Sequence, residues 1–204
     1  MQASQHWDDV YASKGSDNVS WFQAHAERSL NLIDELGIDF DAPVVDVGCG
    51  GGTLIDDLMH AGCTDLTALD ISAAALSLAK ARLGERGALV RWLHSDVLAA
   101  DLRSRHFALW HDRAVFHFLL LPEQRQAYVA KAAASVRPGG YLIVAAFAED
   151  GPEQCSGLPV VRYTAGRLAQ QFAPHFTLRR HELEAHPTPF GSVQQFVYCL
   201  LQRL

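Results

Sequence analysis

"VVDVGCGGGTL", residues 44–54, sets four glycines directly behind a short run of valines. The valines read as a buried strand, and the residues that follow, "GTLIDDLMHAG", read as a helix ending at Gly62. A nearly bare loop between strand and helix is a place where backbone can approach a ligand without Cβ clashes. A phosphate-binding P-loop requires a Lys after its glycines, and none follows here. A dinucleotide fingerprint counted from Gly48 and Gly50 requires glycine at position 53, which is Thr53; counted from Gly50 and Gly52 it requires glycine at position 55, which is Ile55. That counts against the rival reading as a nicotinamide-dependent oxidoreductase. What remains is an acid followed by alternating glycines: Asp46, Gly48, Gly50, Gly52. A carboxylate at the strand end repels a pyrophosphate and favours a cation, so the loop suits a positively charged nucleoside.

Working outward, strand and helix signals alternate. "DLTALD" is a second strand, followed by the helix "SAAALSLAKARLGERG" with Ser72 as N-cap. "ALVRWLHSD" and "HFALWHD" are a third and a fourth strand. "PEQRQAYVAKAAASVRPGG" is a helix running to Pro138-Gly139-Gly140, and "YLIVAAFAED" is a fifth strand. Such alternation implies βαβ units and a parallel sheet covered on both faces. After one more helix, "TAGRLAQQF", two consecutive strands, "FTLRRHELE" and "SVQQFVYCLLQ", predict an antiparallel edge hairpin. The expected organisation is one domain over residues 1–204: a helical cap at 1–40, interrupted near "KGSDNVS", a binding core at 41–150, and an acceptor-side loop, helix and hairpin at 151–204.

Two further acids fit the loop. Asp70 ends the second strand, where a carboxylate can accept from both ribose hydroxyls, and Asp96 follows the third, within reach of an adenine amino group. The formal net charge of −6 disfavours nucleic acid as a partner. Cys49, Cys63, Cys155 and Cys199 are widely spaced with no C-x-x-C, so reduced thiols in a cytoplasmic protein are expected. The opening residues lack the apolar run of a secretory signal, and no stretch approaches a membrane span, so no membrane partner is expected.

With "VVDVGCGGG", "ALDIS", "HSDV", "FALWHDRAVFHFL" and "VRPGGYLIV" in this order over residues 44–147, the chain resembles the class I S-adenosylmethionine-dependent methyltransferases. The resemblance implies a Rossmann-like, doubly wound, seven-stranded and mostly parallel sheet whose last strand is antiparallel, with helices on both faces. It implies an enzyme with S-adenosylmethionine as cofactor. Asp46 and the loop, Gly48, Cys49, Gly50 and Gly52, would hold the methionine end. Asp70 and Ile71 would hold the ribose and flank the adenine. Ser95, Asp96 and Val97 would meet the adenine edge, and His111 would lie near the sulfonium. "QCSGLPVVRYTAGRLAQQF" and "HPTPFGSVQQFVYC" are similar to small bacterial methyltransferases of the tellurite-resistance and thiopurine types.

Methyl transfer asks the protein to align donor and acceptor and to exclude water, and requires no universal catalytic group. His111, Asp112 and His117 are the candidate bases. Trp21, Phe22, His117 and Cys155 are candidates for the acceptor pocket, with Trp21–Phe22 either a lid or an aromatic anchor, and His117 either a pocket residue or a core histidine. No third ligand accompanies His111 and His117, so no metal is expected. The "[DN]-P-P-[YF]" motif of enzymes that methylate DNA bases and glutamine amides is absent. A small-molecule acceptor is expected, a soft nucleophile such as a thiol or chalcogen species first. The alternative is lysine methylation of a specific protein partner. A non-catalytic cofactor-binding protein would be expected to have lost some of the loop or its acids, and here all are present.

Overall fold

The computed structural model describes residues 2–204. Helices α1 (Gln2–Lys14) and α2 (Glu27–Asp34) precede strand β1 (Val44–Val47). There follow α3 (Leu54–His60), β2 (Leu66–Asp70), α4 (Ala73–Leu83), β3 (Arg91–His94), β4 (Phe107–Arg113), α5 (Pro122–Ser135) and β5 (Val136–Phe147). A two-stranded ribbon, β6 (Gln154–Cys155) and β7 (Leu158–Pro159), then leads to α6 (Ala165–Phe172) and the hairpin β8 (Phe176–Pro187) and β9 (Val193–Arg203). The seven-stranded sheet has the order β3-β2-β1-β4-β5-β9-β8, and β9 alone runs against its neighbours. The expected doubly wound sheet with its antiparallel hairpin is therefore observed. No helix among the described residues is long and apolar enough to cross a membrane.

Strict alternation along the central strands divides the core into two layers. On β5, Leu142, Val144 and Ala146 face Tyr128 and Ala132 of α5 and Phe172 of α6. Ile143, Ala145 and Phe147 face the opposite layer with Leu32 of α2, Leu58 of α3 and Leu76 of α4. β1 and β2 are buried throughout, as a parallel strand covered on both faces must be.

Two boundaries differ from the sequence expectation. The helix of α5 ends at Ser135, and Val136 already pairs with Phe107 in the sheet. Pro138 disfavours helical backbone at the residue before it, and Gly139 has φ +76°, so the chain turns into β5 earlier than the "PGG" signal suggested. The segment "QCSGLP", read as loop, folds back as the β6–β7 ribbon around Ser156 and Gly157, both with positive φ.

The turn after β4 is set by one buried side chain. Asp112 is wholly buried and accepts from the Val115 amide at 2.9 Å and the Phe116 amide at 3.1 Å. The Tyr128 hydroxyl of α5 also donates to it, and itself accepts from Trp110 Nε1–H at 2.9 Å. Burial pushes the Asp112 carboxyl up to about 6, against the pull of these donors. Its candidacy as a base falls: Asp112 lies on the α5 side of the sheet and holds the turn. Tyr128→Phe is expected to destabilise the protein by about 1–3 kcal/mol, because it leaves the buried Trp110 indole N–H without an acceptor and takes from Asp112 Oδ2 one of its two donors, the Phe116 amide remaining. Urea denaturation monitored by circular dichroism measures this.

Candidate functional site

The ends of β1, β2, β3 and β4 open onto two adjoining cavities, of about 350 Å³ and about 70 Å³. Tyr11, Trp21, Gly48 and Arg113 line both. In an open α/β sheet this edge is where ligands bind.

The glycine loop begins with Gly48 and Gly50, both at positive φ (+68° and +56°). A Cβ at Gly48 would lie 2.0 Å from Val115 Cγ2, and one at Gly50 2.3 Å from the Tyr11 hydroxyl. These glycines are thus required by protein packing over the loop as well as by its backbone angles. The loop is held through its polar backbone. The Gly50 amide donates to Asp70 Oδ2 at 2.8 Å, and Arg82 of α4 donates to the carbonyls of Gly51 and Gly52 while pairing with Asp56.

Asp70 is buried and lines the larger cavity. It also accepts from the Ser72 amide at 2.8 Å. Burial raises its pKa to about 6, the Asp46 charge adds to the rise, and the Ser72 and Gly50 amides oppose it. Each oxygen keeps a second lone pair for a ligand hydroxyl. Ile71, Ser95, Asp96 and Val97 line the same cavity, and Asp96 orders its own turn by accepting from the Leu98 amide at 2.8 Å.

The smaller cavity gathers Asp46, Cys49, Gly52, Phe22 and His111. His111 sits directly across from Asp46 in the β1–β4 register. Its Nδ1 meets Asp46 Oδ1 at 2.7 Å and its Nε2 meets the Ser29 hydroxyl at 2.8 Å. Both ring nitrogens are engaged, so His111 serves as a brace beneath the loop. Burial pushes the Cys49 thiol well up, which keeps it neutral.

His117, expected either in the pocket or in the core, is in the core. It is wholly buried, lines neither cavity, and packs against Phe118 and Phe147. Burial and the Arg113 charge lower its pKa to about 3, so it stays neutral, and its candidacy as a base falls with that of Asp112. Cys155 does line the larger cavity, as a thiol that burial pushes up to about 12.

Among the cavity residues missed in the sequence are Trp7, Tyr11 and Arg113. Tyr11 and Trp7 of α1 join Trp21 and Phe118 in an aromatic cluster, with Trp7 edge-on to both Trp21 and Phe118 and Tyr11 accepting from Trp21 Nε1–H at 3.3 Å. Arg113 donates to the Tyr198 hydroxyl and the Trp21 carbonyl, approaches Glu184 at 3.5 Å, and lies over the Phe196 ring. The signal for Arg113 was present: it is two residues beyond His111 and shares its side of the strand. Among the described residues no cluster of His, Cys, Asp and Glu is placed to hold a metal ion.

Residues 44–140 match the methyltransferase domain family. The EEF1A lysine methyltransferase 2 of Danio rerio is 27% identical over 95% of this chain and 82% of its own length. A solved structure concerned with the conversion of a disulfide bond into a thioacetal group during echinomycin biosynthesis superposes with a TM-score of 0.80 at 19% identity, covering 98% of this chain and 93% of that one. The 1,6-didemethyltoxoflavin-N1-methyltransferase of Burkholderia thailandensis, solved with S-adenosylhomocysteine, superposes with a TM-score of 0.70 at 22% identity, over 99% of this chain and 84% of that one. Residues 44–140 are thus a methyltransferase domain on the class I fold, the type that uses S-adenosylmethionine as cofactor.

The residues present fit that cofactor. Asp70 offers acceptors to hydroxyls in the larger cavity, and Asp46 offers a buried carboxylate to a cation in the smaller one. Asp70→Ala is expected to weaken S-adenosylhomocysteine binding by about 1.5–3 kcal/mol. Hydroxyl donors favour the ionised carboxylate, so affinity is expected to rise with pH through about 6 and level off above it. Calorimetric titration of the wild type and Asp70→Asn across that range checks both points; the Asn variant should lose the pH dependence.

Proposed function

We propose that this enzyme transfers the cofactor's methyl group to a small-molecule acceptor that reacts as a soft, anionic nucleophile, a thiolate or chalcogen anion. The observation that carries this reading is the Arg113 guanidinium on the wall of an otherwise largely apolar and aromatic recess, beside Trp7, Trp21, Phe118 and Cys155. The cofactor supplies an electrophilic methyl group; the chain's task is to orient the acceptor and exclude water. The larger cavity's titratable lining is Tyr11, Asp70, Asp96, Arg113 and Cys155. Burial holds the Tyr11 phenol far above its ordinary range and Cys155 near 12, so neither takes up a proton at neutral pH. The two acids stand at the nucleoside end. A thiolate needs no base and is favoured by a nearby cation, whereas an ammonium must lose a proton and is repelled by it. The neighbour concerned with thioacetal formation from a disulfide involves sulfur chemistry on the same fold.

The relative from Danio rerio favours a second reading, transfer to lysine of a protein partner. Trp7, Trp21 and Phe118 would then flank an alkylammonium chain. A transfer assay with methyl-labelled cofactor separates the two. One arm holds low-mass thiols, sulfide and selenide; the other holds cell lysate resolved by size. Label in a low-mass or volatile product is expected. Label confined to protein bands overturns the first reading in favour of the second.

A further inference from the structure

Ser29 is fully buried on the inner face of α2, and its hydroxyl makes one hydrogen bond among the described residues, to His111 Nε2 at 2.8 Å. With His111 Nδ1 on Asp46 Oδ1 at 2.7 Å, three side chains form a continuous chain from the helix, through the sheet, to the carboxylate beneath the glycine loop. Asp–His–Ser is the order of a hydrolase relay, but Ser29 lines neither cavity, so no substrate carbonyl reaches its hydroxyl.

We propose that Ser29 is a positioning residue for the cofactor's amino-acid end, acting through His111 on Asp46. The proposal rests on the reading that the smaller cavity receives the methionine moiety. An ionised carboxylate only accepts, so the hydrogen of the Asp46–His111 contact resides on Nδ1. In the neutral ring Nε2 is then a bare acceptor, and in a buried site it needs a donor. The Ser29 hydroxyl is that donor. It selects the tautomer and ring orientation that direct N–H at Asp46 Oδ1. Asp46 Oδ2 receives no hydrogen bond from the described residues, which leaves it for the ligand's ammonium.

Removing the hydroxyl strands Nε2. The ring can then answer by moving its proton to Nε2, which sets a nitrogen lone pair against the Asp46 oxygen, or by turning. Either change disturbs Asp46 and leaves the nucleoside residues Asp70, Ile71 and Asp96 in the other cavity alone. The loss should therefore fall on ligands that carry the amino-acid end.

S-Adenosylhomocysteine has that end and 5′-methylthioadenosine lacks it. Calorimetry with both ligands on the full chain provides the test. Ser29→Ala is expected to weaken S-adenosylhomocysteine by about 5- to 30-fold, the range for losing one buried hydrogen bond, and to leave methylthioadenosine unchanged. Ser29→Thr, which keeps the hydroxyl, should restore binding. Ser29→Cys, nearer in volume and a weak donor, should fall between, and it replaces the Ala variant if that one does not fold. Imidazole 15N resonances should report a changed His111 tautomer in the Ala variant. Equal weakening of both ligands, or no weakening of either, overturns the proposal. Asp46→Asn separates the causes. If it discriminates between the ligands and Ser29→Ala does not, the proposal fails and the cavity reading stands. If Asp46→Asn treats both ligands alike, the cavity reading fails and takes the proposal with it.

Discussion

A carboxylate buried at the end of a strand must be met by donors, and at Asp70 the way this is done organises the site. One oxygen takes the Gly50 amide from the loop after β1, and the other takes the Ser72 amide at the start of α4. A single side chain thereby fixes the spacing between the glycine loop and the next helix. Ser72 extends the linkage: its hydroxyl accepts from the Ala75 amide as N-cap and donates to Asp8 on α1. Asp8 also accepts from the Ala74 amide, and these contacts hold its carboxyl below the usual range. The helix that walls the cavity is thus bonded to the same short segment that carries Asp70. Arg82 grips the loop carbonyls from the far side. The loop has almost no side chains of its own, so its shape is imposed through backbone N–H and C=O groups.

The sheet was legible because parallel strands buried on both faces are short apolar runs, and "VVDV", "LTALD" and "FALWHD" each ended on or beside an acid or histidine. The acids Asp46, Asp70 and Asp96 were legible for the same reason: strand ends in this topology converge on one edge. Alternation, applied more strictly, would have corrected the reading of β4. His111 and Asp112 are adjacent and so must face opposite layers. His111 turns toward Asp46 and Ser29 on the α2 side, Asp112 toward Tyr128 on the α5 side. Arg113 returns to the cavity side. Of the candidate bases His111 and Asp112, only His111 faces the cavity side, and the geometry of a strand pairs it with Arg113.

What lay outside the sequence's reach was long-range. Nothing local in α1 announces that Trp7 and Tyr11 will meet Phe118 and the Gly50 backbone more than 35 residues away. Ser29 reads in sequence as one polar residue of an amphipathic helix; only its packing against β4 turns it into a partner for a histidine 82 positions on. His117 has the opposite history. Its apolar neighbours in "AVFHFLLL" left a core role open, and the sheet enclosed it beside Phe147.

The charges of the site have an arrangement that bears on the chemistry. Asp46 and Asp70 are close enough for one to raise the pKa of the other, and both stand on the nucleoside and loop side. Arg113, lining both cavities, is the cation among them. Before transfer the cofactor carries a positive sulfonium, and an anionic acceptor approaching it removes both charges as the methyl group moves. Burying two opposite charges that vanish in the reaction costs the ground state more than the transition state, so an apolar, aromatic-walled recess speeds such a transfer without a proton acceptor. For a neutral amine the same recess works the other way, because positive charge would have to appear on the acceptor beside the Arg113 guanidinium. Among the described residues the recess's apolar lining and its one guanidinium thus support the acceptor proposed above.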